Sequence, residues 1–195
     1  ARSAEGVASR GDYVVIDDYA AGVEVGQHLR RLGHRRVFLL AGAAFAGQPP
    51  MKEYRRGDLH PSDHLRISGL LDGLEGAEVT LVPIGTNSWA AGQAAGGVVL
   101  DRRDRPTAVV AVSDVIALGL MDACRQRGLT PGRDISLVGF DDLPESAAAG
   151  LTTIHQPVQD KGRLAAELLL DPERPDRRIV LPHELIVRSS THPVA

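Results

Sequence analysis

The chain is predicted to be an α/β protein in which parallel sheets are flanked by helices, and three observations carry that prediction. Residues 106–142, PTAVVAVSDVIALGLMDACRQRGLTPGRDISLVGFDD, read strand, helix, strand without interruption. The two strand segments, 107–112 and 135–140, are near-continuous apolar runs, as expected of parallel strands buried on both faces. The same alternation of a short apolar run with a helical stripe continues upstream, at 13–33, 37–74 and 79–98. With 195 residues the chain is long enough for one domain or two small lobes around a real core.

Residues 106–142 organise the rest. Ser113 is placed to cap a helix whose apolar stripe falls at Ala117, Leu120, Met121 and Cys124. Gly128 suits the left-handed position that stops this helix, and Pro131 blocks its continuation. The second strand then delivers Asp141 and Asp142. A right-handed crossover brings the carboxyl ends of both strands to one sheet edge, where ligands bind in open α/β sheets. Asp114 and Asp141 are therefore expected to look into one crevice. A carboxylate there can accept from paired hydroxyls, although Asp114 can equally be a helix-start charge favoured by the dipole.

Residues 1–12 are small and polar and read as a loose lead-in, followed by a short strand at 13–16. Asp17 or Asp18 then caps a helix with Gly22, Val25, Gly26, Leu29 and Leu32 on one face, ended by Gly33. Glycines on that face cost about 1 kcal/mol each in helix propensity, which implies close packing against a neighbour. His34, Arg35 and Arg36 lead into a strand at 37–41; the cluster could hold an anion, but a solvated turn is the simpler reading. Residues 42–61 form a polar connection containing Pro and Gly. Ile67, Leu70, Leu71 and Leu74 then mark a helix stripe, and 79–84 the next strand. Ser88 caps a helix expected to turn Ala91, Ala94, Ala95 and Val98 inward. This places Trp89 in the first turn beside the crevice, to stack on the C–H face of a sugar or on a base, or else simply to pack. After 142 the chain returns as an extended segment at 151–156. A helix face at Val158, Gly162, Ala165, Leu168 and Leu169 and closing strands at 178–181 and 185–189 complete the reading, with Arg188 as an ion-pair residue.

Composition narrows the function classes. With 43% hydrophobic and 24% charged residues the chain reads as globular rather than disordered, and a net charge of −3 gives no footprint for nucleic acid. The single cysteine, Cys124, falls on an apolar stripe and reads as a buried thiol in a reduced, cytoplasmic setting. No stretch approaches the roughly 20 apolar residues that span a bilayer, and the N-terminus lacks the apolar core of a secretory signal. His60 and His64 beside Asp63 superficially suggest a metal site, but Pro61 intervenes and no third ligand is in sight, so neither metal nor cofactor is expected. An enzyme built on Asp141 with Asp142, or Ser113 with Asp114, is weighed against the absence of a G-x-S-x-G elbow and of a phosphate-binding glycine loop.

In order along the chain, AVVAVSDVIALGLMDACRQRGLTPGRDISLVGFDD, LTTIHQP and LPHELIVRSST closely resemble the effector-binding domain of the lactose-repressor/galactose-repressor (LacI/GalR) transcription regulators. The resemblance runs over residues 13–191 and implies a periplasmic-binding-protein-like fold of two lobes. It implies that Arg66, in a segment similar to the family's R-x-x-G signature, reaches the effector; a local ion pair is the plainer role for it. Asp141, Trp89, Asp114, Ser113 and Gln156 complete the expected effector contacts. It further implies a homodimer, a small-molecule effector with a sugar as the commonest answer, and allosteric control of operator DNA through a headpiece that this sequence does not contain. On this reading the chain is N-terminally truncated: a complete C-terminal lobe at 43–156 and a partial N-terminal lobe from 1–42 and 157–195, with the helix at 18–32 near the dimer contact. A periplasmic sugar-binding protein and a ligand-free dimerisation module are the remaining alternatives.

Overall fold

Four parallel strands in the order β3-β2-β4-β5 make the main sheet of the computed structural model, which describes residues 11–42, 50 and 63–194. These are β2 (Arg36–Gly42), β3 (Glu78–Ile84), β4 (Ala108–Ala111) and β5 (Ser136–Val138). Each is an apolar run that the sequence marks as buried, and Leu39, Leu81, Val109 and Leu137 are almost fully enclosed. β1 (Tyr13–Ile16) pairs in parallel with β7 (Arg178–Leu181), and β6 (Thr153–His155) pairs antiparallel with β8 (Glu184–Ile186). The expected lead-in before residue 11, most of the 42–61 connection, and His60 lie outside the described residues.

Two helix pairs sandwich the sheet. α1 (Asp18–Arg31) packs along α2 (His64–Gly73), over Leu39, Val110 and Phe140. α3 (Trp89–Leu100) packs along α4 (Asp114–Gln126) against β2, β3, β4 and β5. The glycines read as unfavourable for α1 have the anticipated cause. A Cβ on Gly22 would lie 2.1 Å from the Arg66 carbonyl oxygen, and one on Gly69 2.0 Å from that of Tyr19. The α3–α4 pair uses the same device, since Cβ atoms on Gly92 and Gly119 would each come within 2.0 Å of a backbone oxygen of the other helix.

Three segments expected in the partial N-terminal lobe, β2, α1 and the tail, pack on the main unit. β2 is an interior strand with β3 on one side and β4 on the other, so the expected boundary between 42 and 43 cuts through the main unit. Its apolar run is enclosed to match, with Val37, Phe38, Leu39, Leu40 and Ala41 all buried between the helix pairs. α1 goes with the same unit through α2. The tail returns to it as well, since Leu137 N donates to the Ser190 carbonyl and Val194 N to that of Leu32. Among the described residues, β1, α6 (Val158–Leu170) and β7 form a smaller unit, α6 lying against β1.

Three helices depart in detail. α3 buries Gly92, Ala95, Gly96, Val99 and Leu100, whereas Val98 is exposed. α6 buries Leu164 and Leu168 and leaves Val158 and Leu169 outside. α5 (Pro144–Ala149) stands in a stretch to which the sequence reading assigned no element; Pro144 starts it and Gly150, left-handed at φ 71°, stops it.

Candidate functional site

The carboxyl ends of β2, β3, β4 and β5 open on one crevice of about 450 Å³, lined among others by Gly42, Asp63, Arg66, Asn87, Ser113 and Asp141. Its location is the one the crossover argument requires.

Arg66 is held from three sides. Its Nε and Nη2 donate to Asp18 Oδ1 at 3.1 and 2.8 Å, and Nη1 donates to the Val112 carbonyl. The guanidinium also stacks on Phe140, 3.4 Å from the ring centroid. Three of its five N–H donors are thereby engaged and two remain for the crevice. The local ion pair and the crevice position are both realised: Asp18 fixes the fork that lines the site.

Asp141 enters the crevice on an unusual backbone, with φ of 135° at Asp141 and 59° at Asp142. The strand end is pinned in this shape by Asp141 N donating to the Ile154 carbonyl. Gln156 Nε2 donates to Asp141 Oδ1 at 2.8 Å, and Lys161 Nζ donates to Gln156 Oε1 at 3.0 Å. Gln156 is thus a buried support for Asp141 rather than part of the crevice lining. Burial pushes the Asp141 carboxyl up to about 6, with the Arg66 guanidinium opposing and the Asp114 charge adding to the rise. Asp142 turns the other way. Burial opposes its ionisation, but hydrogen bonds from Arg188 and His155 outweigh that and keep its carboxyl below the usual value.

Besides Gln156, two further expected contacts are not in the crevice. Asp114 is fully buried: Oδ1 accepts from Thr153 Oγ1 at 2.6 Å, and Oδ2 accepts from Leu143 N at 2.9 Å and Ser146 Oγ at 2.6 Å. It joins the start of α4 to α5 and β6, so its lone pairs are committed inside the protein. Trp89 is 41% exposed on the α3 surface, where Nε1 donates to Asp122 on α4. Because Ser88 is the cap, with its Oγ accepting from Ala91 N, the first helical residue already points off the side of α3. The position that faces the crevice lies one residue before the cap, at Asn87.

Asn87 is a polar crevice residue that the sequence reading missed. Ser113 Oγ donates to its Oδ1 at 2.5 Å instead of capping α4, whose first turn has no side-chain cap. Ser113 and Asn87 therefore present a paired hydroxyl and amide at one wall of the crevice. A retrievable signal existed: Asn87 immediately precedes a clear cap, at the end of a buried strand.

A sequence profile described as periplasmic binding protein-like domain matches residues 26–191. The HTH-type transcriptional regulator DegA of Bacillus subtilis is 34% identical over 193 residues, covering 94% of this chain and 53% of that protein. The HTH-type transcriptional repressor CytR of Escherichia coli is 32% identical, covering 91% of this chain and 51% of its own length. A LacI family transcriptional regulator from Enterococcus faecium, solved with bound ribose, superimposes with a TM-score of 0.77 at 26% identity, over 94% of this chain and 66% of that one. A LacI family regulator from Mycobacterium smegmatis gives a TM-score of 0.77 at 30% identity, over 96% and 68%. The chain belongs to the periplasmic binding protein-like domain family, in the form similar to that of LacI-family transcription regulators. It spans about half the length of the curated relatives it matches.

Proposed function

We propose that this chain binds a small-molecule effector, of the sugar or nucleoside class, in the crevice between Arg66, Asn87, Ser113 and Asp141. It does so as the sensing part of a cytoplasmic, homodimeric LacI-type repressor whose DNA contacts lie in a helix-turn-helix segment outside this sequence. The observation that carries the reading is the convergence of a fork with two free donors, a carboxylate and a hydroxyl–amide pair on one cavity at the carboxyl edge of a parallel sheet. These groups match a polyhydroxylated ligand: the carboxylate and the Asn87 oxygen accept from hydroxyls, and Arg66 donates to them. Ribose in the Enterococcus faecium regulator supports a pentose or a nucleoside as the first compounds to try. Effector binding would bias a lobe-closure equilibrium, and coupling of this sort is typically worth about 1–3 kcal/mol.

A binding role fits these residues better than catalysis. Asp141 and Asp142 face different partners, so they do not make a carboxylate pair on one substrate. The Ser113 hydroxyl donates to an amide oxygen rather than to a base. Thermal unfolding against a panel of pentoses, hexoses and nucleosides tests the proposal. A ligand at about 100 times its dissociation constant should add about 2.7 kcal/mol. One compound is expected to raise the melting temperature in a concentration-dependent way, less so in Arg66→Ala, Asn87→Ala and Asp141→Asn. Equal shifts in wild type and all three variants would overturn the assignment of the crevice.

A further inference from the structure

We propose that the opposite edge of the main sheet carries a second ligand site, for a small molecule bearing a phosphate group. A pocket of about 440 Å³ opens there, lined by His34 at the start of β2, Arg103, Arg105 and Thr107 before β4, Arg133 before β5, and His192 in the tail. β4 separates the two sites, Thr107 lining this one and Val112 the other, roughly 16 Å apart at the rise of a parallel strand.

The pocket holds three arginines against one carboxylate, Asp134. Neighbouring arginines have partners: Arg102 pairs with Asp104 and Arg127 with Asp101. Arg133 holds Asp134, which also accepts from Thr130 N and is the carboxylate of the pocket. Among the described residues, the exposed Arg103 and Arg105 make neither a hydrogen bond nor an ion pair, although the Arg105 charge helps hold the Asp134 carboxyl below its usual value, and both line the cavity. Their convergence is not a by-product of a basic chain, because the net charge is −3. His34 sits in the wall, 2% exposed, with Nδ1 against Thr107 Oγ1 at 2.9 Å. Its Nε2 is buried beside the His192 backbone without meeting it in hydrogen-bonding geometry. Two arginines without ion-pair partners lining a shared cavity suit a tetrahedral oxyanion, and the volume exceeds what a lone inorganic ion needs. A phosphorylated small metabolite fits both facts. Bound on the reverse side of the strands that shape the crevice, it would act as a second input to the same sheet.

The test uses the whole chain and sodium pyrophosphate as the probe, at ionic strength held constant with potassium chloride, followed by backbone amide NMR. Saturable shifts are expected at Thr107, Ser136 and His192, with Val112 and Asp141 unmoved. The double variant R103A/R105A should bind at least about tenfold more weakly, as loss of charge-assisted bonds requires, with an unchanged melting temperature. Asp141→Asn should bind the probe like wild type. Non-saturating shifts, equal binding by the double variant, or shifts centred on Asp141 would each overturn the proposal. A double variant that loses stability with no change in pyrophosphate binding would overturn it too, and would assign the arginines to the carboxyl ends of α3 and α4 instead.

Discussion

Asp114 and Asp141 look alike in sequence, each an acid at the end of a buried strand, yet they have opposite chemistry. Asp114 is enclosed and accepts three hydrogen bonds, so removing it strands buried donors. Asp114→Ala is expected to cost about 3 kcal/mol or more in urea unfolding, whereas a surface helix-start acid would cost well under 1. Asp141 has a carboxyl raised to about 6 by burial, from 3.8. A carboxyl raised on folding contributes stability that is complete below its unfolded value and is lost as pH rises through the folded one. Asp141→Asn should therefore stabilise the unliganded chain at pH 7.5, by about 1–3 kcal/mol, and make little difference near pH 3.5. Effector affinity has the opposite dependence, because hydroxyl donors favour the ionised carboxylate: it should be flat above pH 6 and fall below it. A pH series of unfolding curves and one of binding isotherms check both signs. Trp89 and Asn87 show why side-chain roles were the least legible part of the sequence. Which of two adjacent residues faces the crevice is fixed by the cap at Ser88, and a shift of one residue at a helix start turns a side chain by about 100°.

At the level of elements, the helix pairs depend on backbone contact through glycine. Gly119→Ala would place a Cβ 2.0 Å from the Trp89 carbonyl oxygen, so α3 and α4 must separate. It should destabilise by about 1–3 kcal/mol despite the gain in helix propensity. Gly162→Ala is the control: a Cβ there meets nothing within 4 Å, and the change should stabilise α6 by about 0.5–1 kcal/mol. Equal effects at the two positions would contradict the packing argument. Strands and most helix stripes were readable because continuous apolar runs and 3.6-residue spacing report burial directly, as at Leu120 and Met121 in α4. α5 was not read, because six residues with three alanines carry too little pattern to separate a helix from a loop. On α6, an apolar stripe from Val158 to Leu169 was legible, but which of its residues touch β1 depends on a strand far away in sequence.

For the whole molecule, the position of β2 was the main thing local pattern did not reveal. Its neighbours β3 and β4 are distant in sequence, and sheet order is a long-range property. With β2 in place, four strand ends meet at one crevice. The central claim is that this crevice is where a sugar or nucleoside binds. The most direct measurement is an amide NMR titration of the whole chain with ribose, other pentoses, hexoses and nucleosides. One compound is expected to give saturable shifts at Gly85, Asn87, Val112, Ser113 and Asp141, which Asp141→Asn weakens. Saturable shifts confined to another surface, or no saturable shifts with any compound, would contradict the claim.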